Sequence, residues 1–297
     1  MSPVDGFRFV FMADCQLGCY ASFSGMGEAD IARFAARDMR VVAVPRTEGF
    51  DWDADRYRQA IAAAVGLRPD FVVMGGDMVD DPSSTPQRDA LFRITEGLHG
   101  VPMHWVPGNH DTADDTVVPT AASLGRYRAA FGPDHYSFEH KGVTFIVTDT
   151  VVWQHPEQVG EEWDAQLAAL EAALRSARTA GSRQVVVFGH HPLFTSVPDE
   201  PDDFWNIPME RRRRILDLFA AHRVRAFFCG HWHRNGGGWD GEVEVVVSGP
   251  VGYPLGADPS GLRIVDVDDG GLRHRYVALQ AAPAGAGSGA GSGGGAA

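Results

Sequence analysis

Basic residues are scarce in this chain. It carries 26 Lys and Arg against 39 Asp and Glu, a formal charge of −13. Phosphate backbones and anionic headgroups are gripped by clustered Lys and Arg, so this balance argues against nucleic-acid and membrane-surface partners. Cysteine is scarcer still, with only Cys15, Cys19 and Cys229. An odd count leaves at least one unpaired. The spacing suits no disulfide framework, and Cys15 and Cys19 alone are too few for a zinc knuckle. They read as small buried residues in a reducing compartment, and the expected location is the cytoplasm. No apolar run approaches a bilayer span. Met1-Ser2-Pro3-Val4-Asp5 lacks the basic residues that open a secretory leader, so none is expected there. No internal repeat recurs along the chain.

What the chain does hold is an ordinary globular interior. Its hydrophobic fraction is 44%, enough for a sizeable core. At 297 residues it exceeds the usual single-domain length, yet α/β folds of this size are often one domain. Short apolar runs at 7–13, 70–74, 101–106, 184–188 and 226–228 read as buried strands. Residues 136–138 and 144–148 read as a hairpin around Lys141-Gly142. The runs 243–247, 262–267 and 274–279 close the series. Between them, 29–39, 53–65, 87–98, 161–180 and 211–221 carry helical patterns, the Ala-, Leu- and Glu-rich 161–180 most clearly. Residues 47–55 read as an exposed loop. The basic run 211–214 reads as a solvated helix face. Residues 1–280 are therefore assigned to one domain. Residues 281–297, almost all Gly, Ala and Ser, have too little apolar surface to bury and are expected to be a disordered tail.

The strand runs share a feature. Val101 to Val106 ends in Pro107-Gly108-Asn109-His110-Asp111, which delivers an amide, an imidazole and a carboxylate in succession. A polar turn after a strand explains such a tetrapeptide by itself, since Gly, Asn and Asp favour turns. The same ending recurs, however, with Asp14, Asp77, His190, and the pair His231 and His233 just beyond other strand runs. Singly, Asp14 could form a turn, Asp77 cap a helix, and the histidines pack or face solvent. In open α/β sheets, ligands bind beyond the carboxyl ends of the strands. The joint pattern therefore favours one site. Carboxylate oxygens mixed with imidazole nitrogens suit divalent ions such as Mn, Fe or Zn.

The ordered series is Asp-X-Gln (Asp14, Gln16), Gly-Asp-X-X-Asp (Gly76, Asp77, Asp80), Gly-Asn-His-Asp (Gly108 to Asp111), Gly-His-His (Gly189 to His191) and Gly-His-X-His (Gly230 to His233). It resembles the calcineurin-like metallophosphoesterase superfamily over residues 7–279. Asp202-Asp203-Phe204-Trp205-Asn206 and the stretch from Leu255 to Arg263 add to the likeness. The resemblance implies an α/β (α+β) fold, a four-layer αββα sandwich around two sheets, with residues 20–55 a candidate cap. It implies two divalent ions, Mn, Fe, Zn or Mg, with Mn favoured. Asp14, Gln16, Asp77 and His233 would hold one. Asp77, Asn109, His190 and His231 would hold the other, with Asp77 bridging. His110 would protonate the leaving oxygen or bind phosphate, and Asp80 would orient His110.

The implied activity is phosphomonoester hydrolysis on a phosphorylated substrate, with serine/threonine phosphoproteins among the implied substrates. A phosphodiesterase acting on cyclic nucleotides or other small diesters would use the same ligands. A non-catalytic scaffold predicts decayed ligands, and only Gln16 departs, standing where the superfamily usually has His. Asp81 stands where the protein-phosphatase branch has a phosphate-gripping Arg; Arg234 or Asn235 could substitute, with Arg234 equally readable as a surface cation. The stretch 199–205, acidic and aromatic, reads as a rim loop or as surface with two residues packed inward.

Overall fold

The computed structural model describes residues 6–279, so the expected tail at 281–297 lies outside the described residues. The first apolar run is strand β1 (Phe7–Met12). Alternate side chains of a strand face opposite ways, and here both faces are covered. Phe7, Phe9 and Phe11 enter one buried cluster, whereas Val10 and Met12 enter another. A strand in this position must be apolar on both faces, which is why β1 reads as a continuous run rather than an alternating one.

The chain continues through α1 (Cys19–Ser22), α2 (Glu28–Ala35), α3 (Asp51–Leu67), β2 (Phe71–Met74), α4 (Thr85–Thr95), β3 (Met103–Trp105), α5 (Asn109–Thr112) and α6 (Ala121–Phe131). The second half holds β4 (Tyr136–His140), β5 (Val143–Val147), α7 (Thr150–Gln154), α8 (Gly160–Ala180), β6 (Gln184–Phe188), α9 (Met209–Ala221) and β7 (Ala226–Cys229). It closes with β8 (Gly236–Asp240), β9 (Val243–Val247), β10 (Gly261–Asp268) and β11 (Gly271–Ala278).

Two sheets result, one ordered β11-β10-β1-β2-β3 and the other β4-β5-β6-β7-β9-β8. β1, β2 and β3 run parallel, as do β5, β6, β7 and β9. Between the sheets lies an aromatic layer in which Phe9, Phe71, Phe145, Phe188 and Phe228 interlock. Fully burying one such ring contributes about 1.5–3 kcal/mol, so this layer fixes how the sheets face each other. Outside one sheet, α3 and α4 supply Tyr57, Ile61, Leu91 and Ile94 to a second cluster. Outside the other, α8 and α9 supply Leu170, Leu174, Ile215 and Phe219. Helix, sheet, sheet, helix is the expected αββα sandwich. No helix of the described residues is long and apolar enough to cross a membrane.

Local differences from expectation have physical reasons. Residues 47–55 read as a loop and 53–65 as a helix, but α3 begins at Asp51; its Asp53 carboxylate is buried and accepts from the Gly18 and Tyr20 N–H groups at the start of α1. Strand β8 (GGGWD) has no apolar periodicity, because its glycines lie flat against neighbours. A Cβ on Gly236 would come 2.5 Å from Trp232. Arg212, expected on a solvated face, is fully buried. Its guanidinium donates to the carbonyls of Pro198, Glu200 and Ile207 and so ties down the loop ahead of α9.

Candidate metal centre

The parallel strands point their carboxyl ends the same way, and the aromatic layer brings the two sets of ends together. β1 delivers Asp14, β2 delivers Asp77 and β3 leads to Asn109. From the opposing sheet, β6 delivers His190, and β7 delivers His231 and His233. The chain bends sharply at these points. Asp14, Gln16, Asp77, His231 and His233 all take left-handed backbone conformations, with φ of 54°, 33°, 52°, 67° and 53°. Each non-glycine residue held there costs about 1–3 kcal/mol, strain that clusters at functional sites. The preceding glycines let the parts approach. A Cβ on Gly108 would fall 2.2 Å from the Asp77 carboxylate, and one on Gly230 would fall 2.4 Å from that of Asp14.

The side chains converge as two triads sharing one member. Asp77, His190 and His231 present ligand atoms within 4.8 Å of one another, and so do Asp14, Asp77 and His233. His190 Nε2 is 3.1 Å from Asp77 Oδ2 and 3.1 Å from Asn109 Oδ1, while His233 Nε2 is 3.5 Å from Asp14 Oδ1. In each histidine the other nitrogen donates to a main-chain carbonyl: His190 Nδ1 to Gly75 (2.8 Å), His231 Nε2 to Phe204 (3.2 Å) and His233 Nδ1 to Tyr253 (2.6 Å). Such bonds fix the ring orientation and, in the neutral His231 and His233, aim the remaining lone pair, as around metal-ligating histidines. Asn109 is likewise held by its amide N–H, which donates to Thr116 O, so its carbonyl oxygen faces the cluster.

Gln16 supplies the sharpest test of whether a cation fits. Its Nε2 donates to Asp80 Oδ1 at 3.0 Å. That leaves Oε1 buried without any hydrogen-bond partner. An unpaired buried acceptor is costly, and a cation in the cavity that Gln16 lines with Asp77 and His233 would satisfy it. The donor set therefore suits divalent metal.

Charge is distributed unevenly in the cluster. Burial pulls the His190 imidazole down, but the Asp77 and Asp14 carboxylates outweigh it and hold the ring at about 9. Burial lowers His231 to about 3 and His233 to about 4, keeping both in the neutral form that ligates metal. Burial would raise Asp77, yet His190 and His110 hold it below the usual carboxylate range. Asp14 is pushed up, chiefly by burial.

His110 stands beside the triads without belonging to them. Its main-chain N–H donates to Asp77 Oδ1 at 2.9 Å. Its Nδ1 donates to the Asp80 main-chain carbonyl at 2.9 Å, whereas the Asp80 carboxylate is 3.6 Å away. Asp80 does orient His110, then, but with its backbone. Its carboxylate is engaged by Gln16 and by Ser22 Oγ. Asp111, to which sequence reasoning assigns no role, is buried and accepts from the N–H groups of Asp77, Met78 and Gly108. It locks the β2 and β3 ends together. Its spacing, three residues after Gly108, was the only clue.

Two expected phosphate-binding substitutes are otherwise occupied. Arg234 pairs with Asp38 and lies over Trp232. Asn235 Oδ1 accepts from Arg263 and the Gly249 N–H. His191 packs as a buried histidine, its ring 4.2 Å from that of His231. The cluster opens on a cavity of about 130 Å³ walled by Gln16, His110, Phe204 and His233 among others.

Replacing Gln16 by His should tighten the Asp14–His233 side of the cluster. Imidazole is a stronger donor than an amide oxygen and favours Zn or Fe over Mg, and His tolerates left-handed φ better than most residues. Calorimetric titration of metal-free wild type and Gln16→His should show one affinity raised by about tenfold or more, the scale on which ligand-shell changes act. Identical affinities would mean that Gln16 touches no metal.

Two facing sheets with aspartate, asparagine and histidine at their carboxyl ends define a metal-dependent phosphoesterase. A family model, calcineurin-like phosphoesterase, matches residues 7–235, and the chain belongs to that family. It is a metallophosphoesterase, a hydrolase of phosphoric esters. Among characterised proteins it is similar to serine/threonine-protein phosphatase CPPED1 of Danio rerio, 32% identical over 92% of this chain and 85% of that protein. The Homo sapiens CPPED1 is 31% identical over 92% of this chain and 84% of its own length. Among solved structures, a dimetal phosphatase from Danio rerio superposes with a TM-score of 0.61 at 18% identity, covering 94% of this chain and all, 100%, of that one.

Proposed function

We propose that the protein is a phosphomonoesterase using two divalent ions, Mn favoured, and that its substrates are phosphoserine and phosphothreonine proteins. The observation that carries the reading is the sharing of Asp77 by both triads: one carboxylate between two ligand sets is how a pair of ions is held across a phosphoryl group. The names of the CPPED1 relatives support the substrate class. Bound ions would offset charge on the phosphoryl oxygens and ready a water for in-line attack.

The chain's own residues do the rest. Asp77, His190, His231 and Asn109 would hold one ion, and Asp14, Asp77, His233 and Gln16 the other. His110, with its Nδ1–H committed to Asp80 O, keeps Nε2 free, and as the imidazolium it would pass the Nε2 proton to the departing alcohol oxygen. Cys15, Cys19 and Cys229 are free and buried, which supports a reducing, cytoplasmic setting.

The test is hydrolysis of monoesters, diesters and phosphopeptides by metal-stripped enzyme reloaded with Mn, Fe, Zn or Mg. Monoesters and phosphopeptides should be preferred. Faster cleavage of diesters such as cyclic nucleotides would replace this reading with the phosphodiesterase one.

A further inference from the structure

We infer that the groove between residues 34–39 and 200–206 binds the polypeptide flanking a phosphorylated serine or threonine and selects basic residues there. This rests on the phosphatase reading above.

The space at the cluster is small. About 130 Å³ accommodates a phosphoryl group and little more, since pockets for whole ligands run from about 300 to 1,000 Å³. A second cavity of about 880 Å³ adjoins it, and Met39, Phe204 and Trp205 line both. A substrate whose phosphate reaches the cluster therefore continues past these three side chains.

The walls are set before anything binds. Glu200 accepts from the Thr195 and Ser196 N–H groups and from Asn206 Nδ2, and buried Arg212 holds the Pro198 and Glu200 carbonyls from below. Arg234 pins Asp38 on the opposite wall. The loop also touches the catalytic cluster, because Phe204 O receives the His231 Nε2 proton. Preorganised walls spend less of the binding energy on ordering.

Their chemistry fits a peptide. Phe204 packs its ring 4.9 Å from that of Trp205 and 5.0 Å from that of His231 and is still 50% exposed, which leaves apolar surface facing the groove. Around it stand Asp38, Asp202 and Asp203. Asp38 is matched by Arg234, and Asp202 lies 3.7 Å from Arg212. Asp203 has no cation partner among the described residues; its Oδ1 accepts only the Phe204 N–H. Arg37, on the facing wall, is the one cation lining the groove among the described residues. Complementary charge steers and selects partners, so Asp203 favours Lys or Arg beside the phosphoresidue, and Arg37 opposes them.

The experiment compares kcat/KM for three phosphoserine peptides of equal length, flanked by Arg, Ala or Glu, with phenyl phosphate as a small reference. Wild type should prefer the Arg peptide over the Glu peptide by about tenfold. Asp203→Asn keeps the acceptor and removes the charge, and should lower that ratio severalfold. Arg37→Glu should raise it. Opposite shifts cannot come from general loss of folding. If phenyl phosphate is hydrolysed but the peptides are treated alike, or both substitutions move the ratio the same way or not at all, the groove assignment fails and the phosphatase reading stands. If no monoester is hydrolysed with any metal, both fail.

Discussion

Asp77→Asn should strip both metal ions from the protein and abolish hydrolysis. Asp77 belongs to each ligand triad, so the change weakens two sites rather than one. Asparagine keeps the size and one oxygen but loses the negative charge that offsets two dications. It also tolerates left-handed backbone well, so the φ of 52° at this position should not unfold the chain. The His110 main-chain N–H, which donates to Asp77 Oδ1, can still find the amide oxygen. Elemental analysis should fall from two equivalents toward none, with kcat/KM down by about 10³-fold or more, the scale of metal charge stabilisation. Two ions retained in a folded variant would remove Asp77 from the bridging position.

His110→Ala should separate metal binding from proton transfer. The imidazole lies outside both triads, and its Nδ1 is held by the Asp80 carbonyl, so the ring is positioned without metal. The variant should keep both ions while turnover of alkyl phosphates drops about 10²–10⁴-fold, the range for a lost general acid. Nitrophenyl phosphate, whose leaving group needs no proton, should suffer much less. Equal losses on alkyl and nitrophenyl esters would deny His110 the acid role and leave it as a phosphate contact.

The strand-end residues were legible because their chemistry and their position are the same fact. Apolar runs buried on both faces are easy to see, and although one polar residue after a strand is an ordinary turn former, the same ending on successive strands points to a site beyond their carboxyl ends. Asp14, Asp77, Asn109, His190, His231 and His233 were found this way, and the structure brings all six to one place. What stayed hidden acts through the backbone. The Phe204 and Tyr253 carbonyls that aim His231 and His233, and the Asp80 carbonyl that aims His110, carry no side-chain signature. Asp80 was singled out for its carboxylate, yet its carbonyl makes the contact. Arg212 misled for a related reason. A run of four arginines reads as solvated, and only the fold reveals three unpaired carbonyls beneath the second of them. Glycine-rich β8 lacked the apolar spacing that marks an element.

The central claim is a two-ion cluster bridged by Asp77, and anomalous diffraction from crystals loaded with Mn tests it most directly. Two peaks should appear about 3.5–4 Å apart, one on either side of the Asp77 carboxylate. Gln16 Oε1 should face the one beside Asp14 and His233, and Asn109 Oδ1 the one beside His190 and His231. A single peak, or a pair lying away from Asp77, would contradict the account.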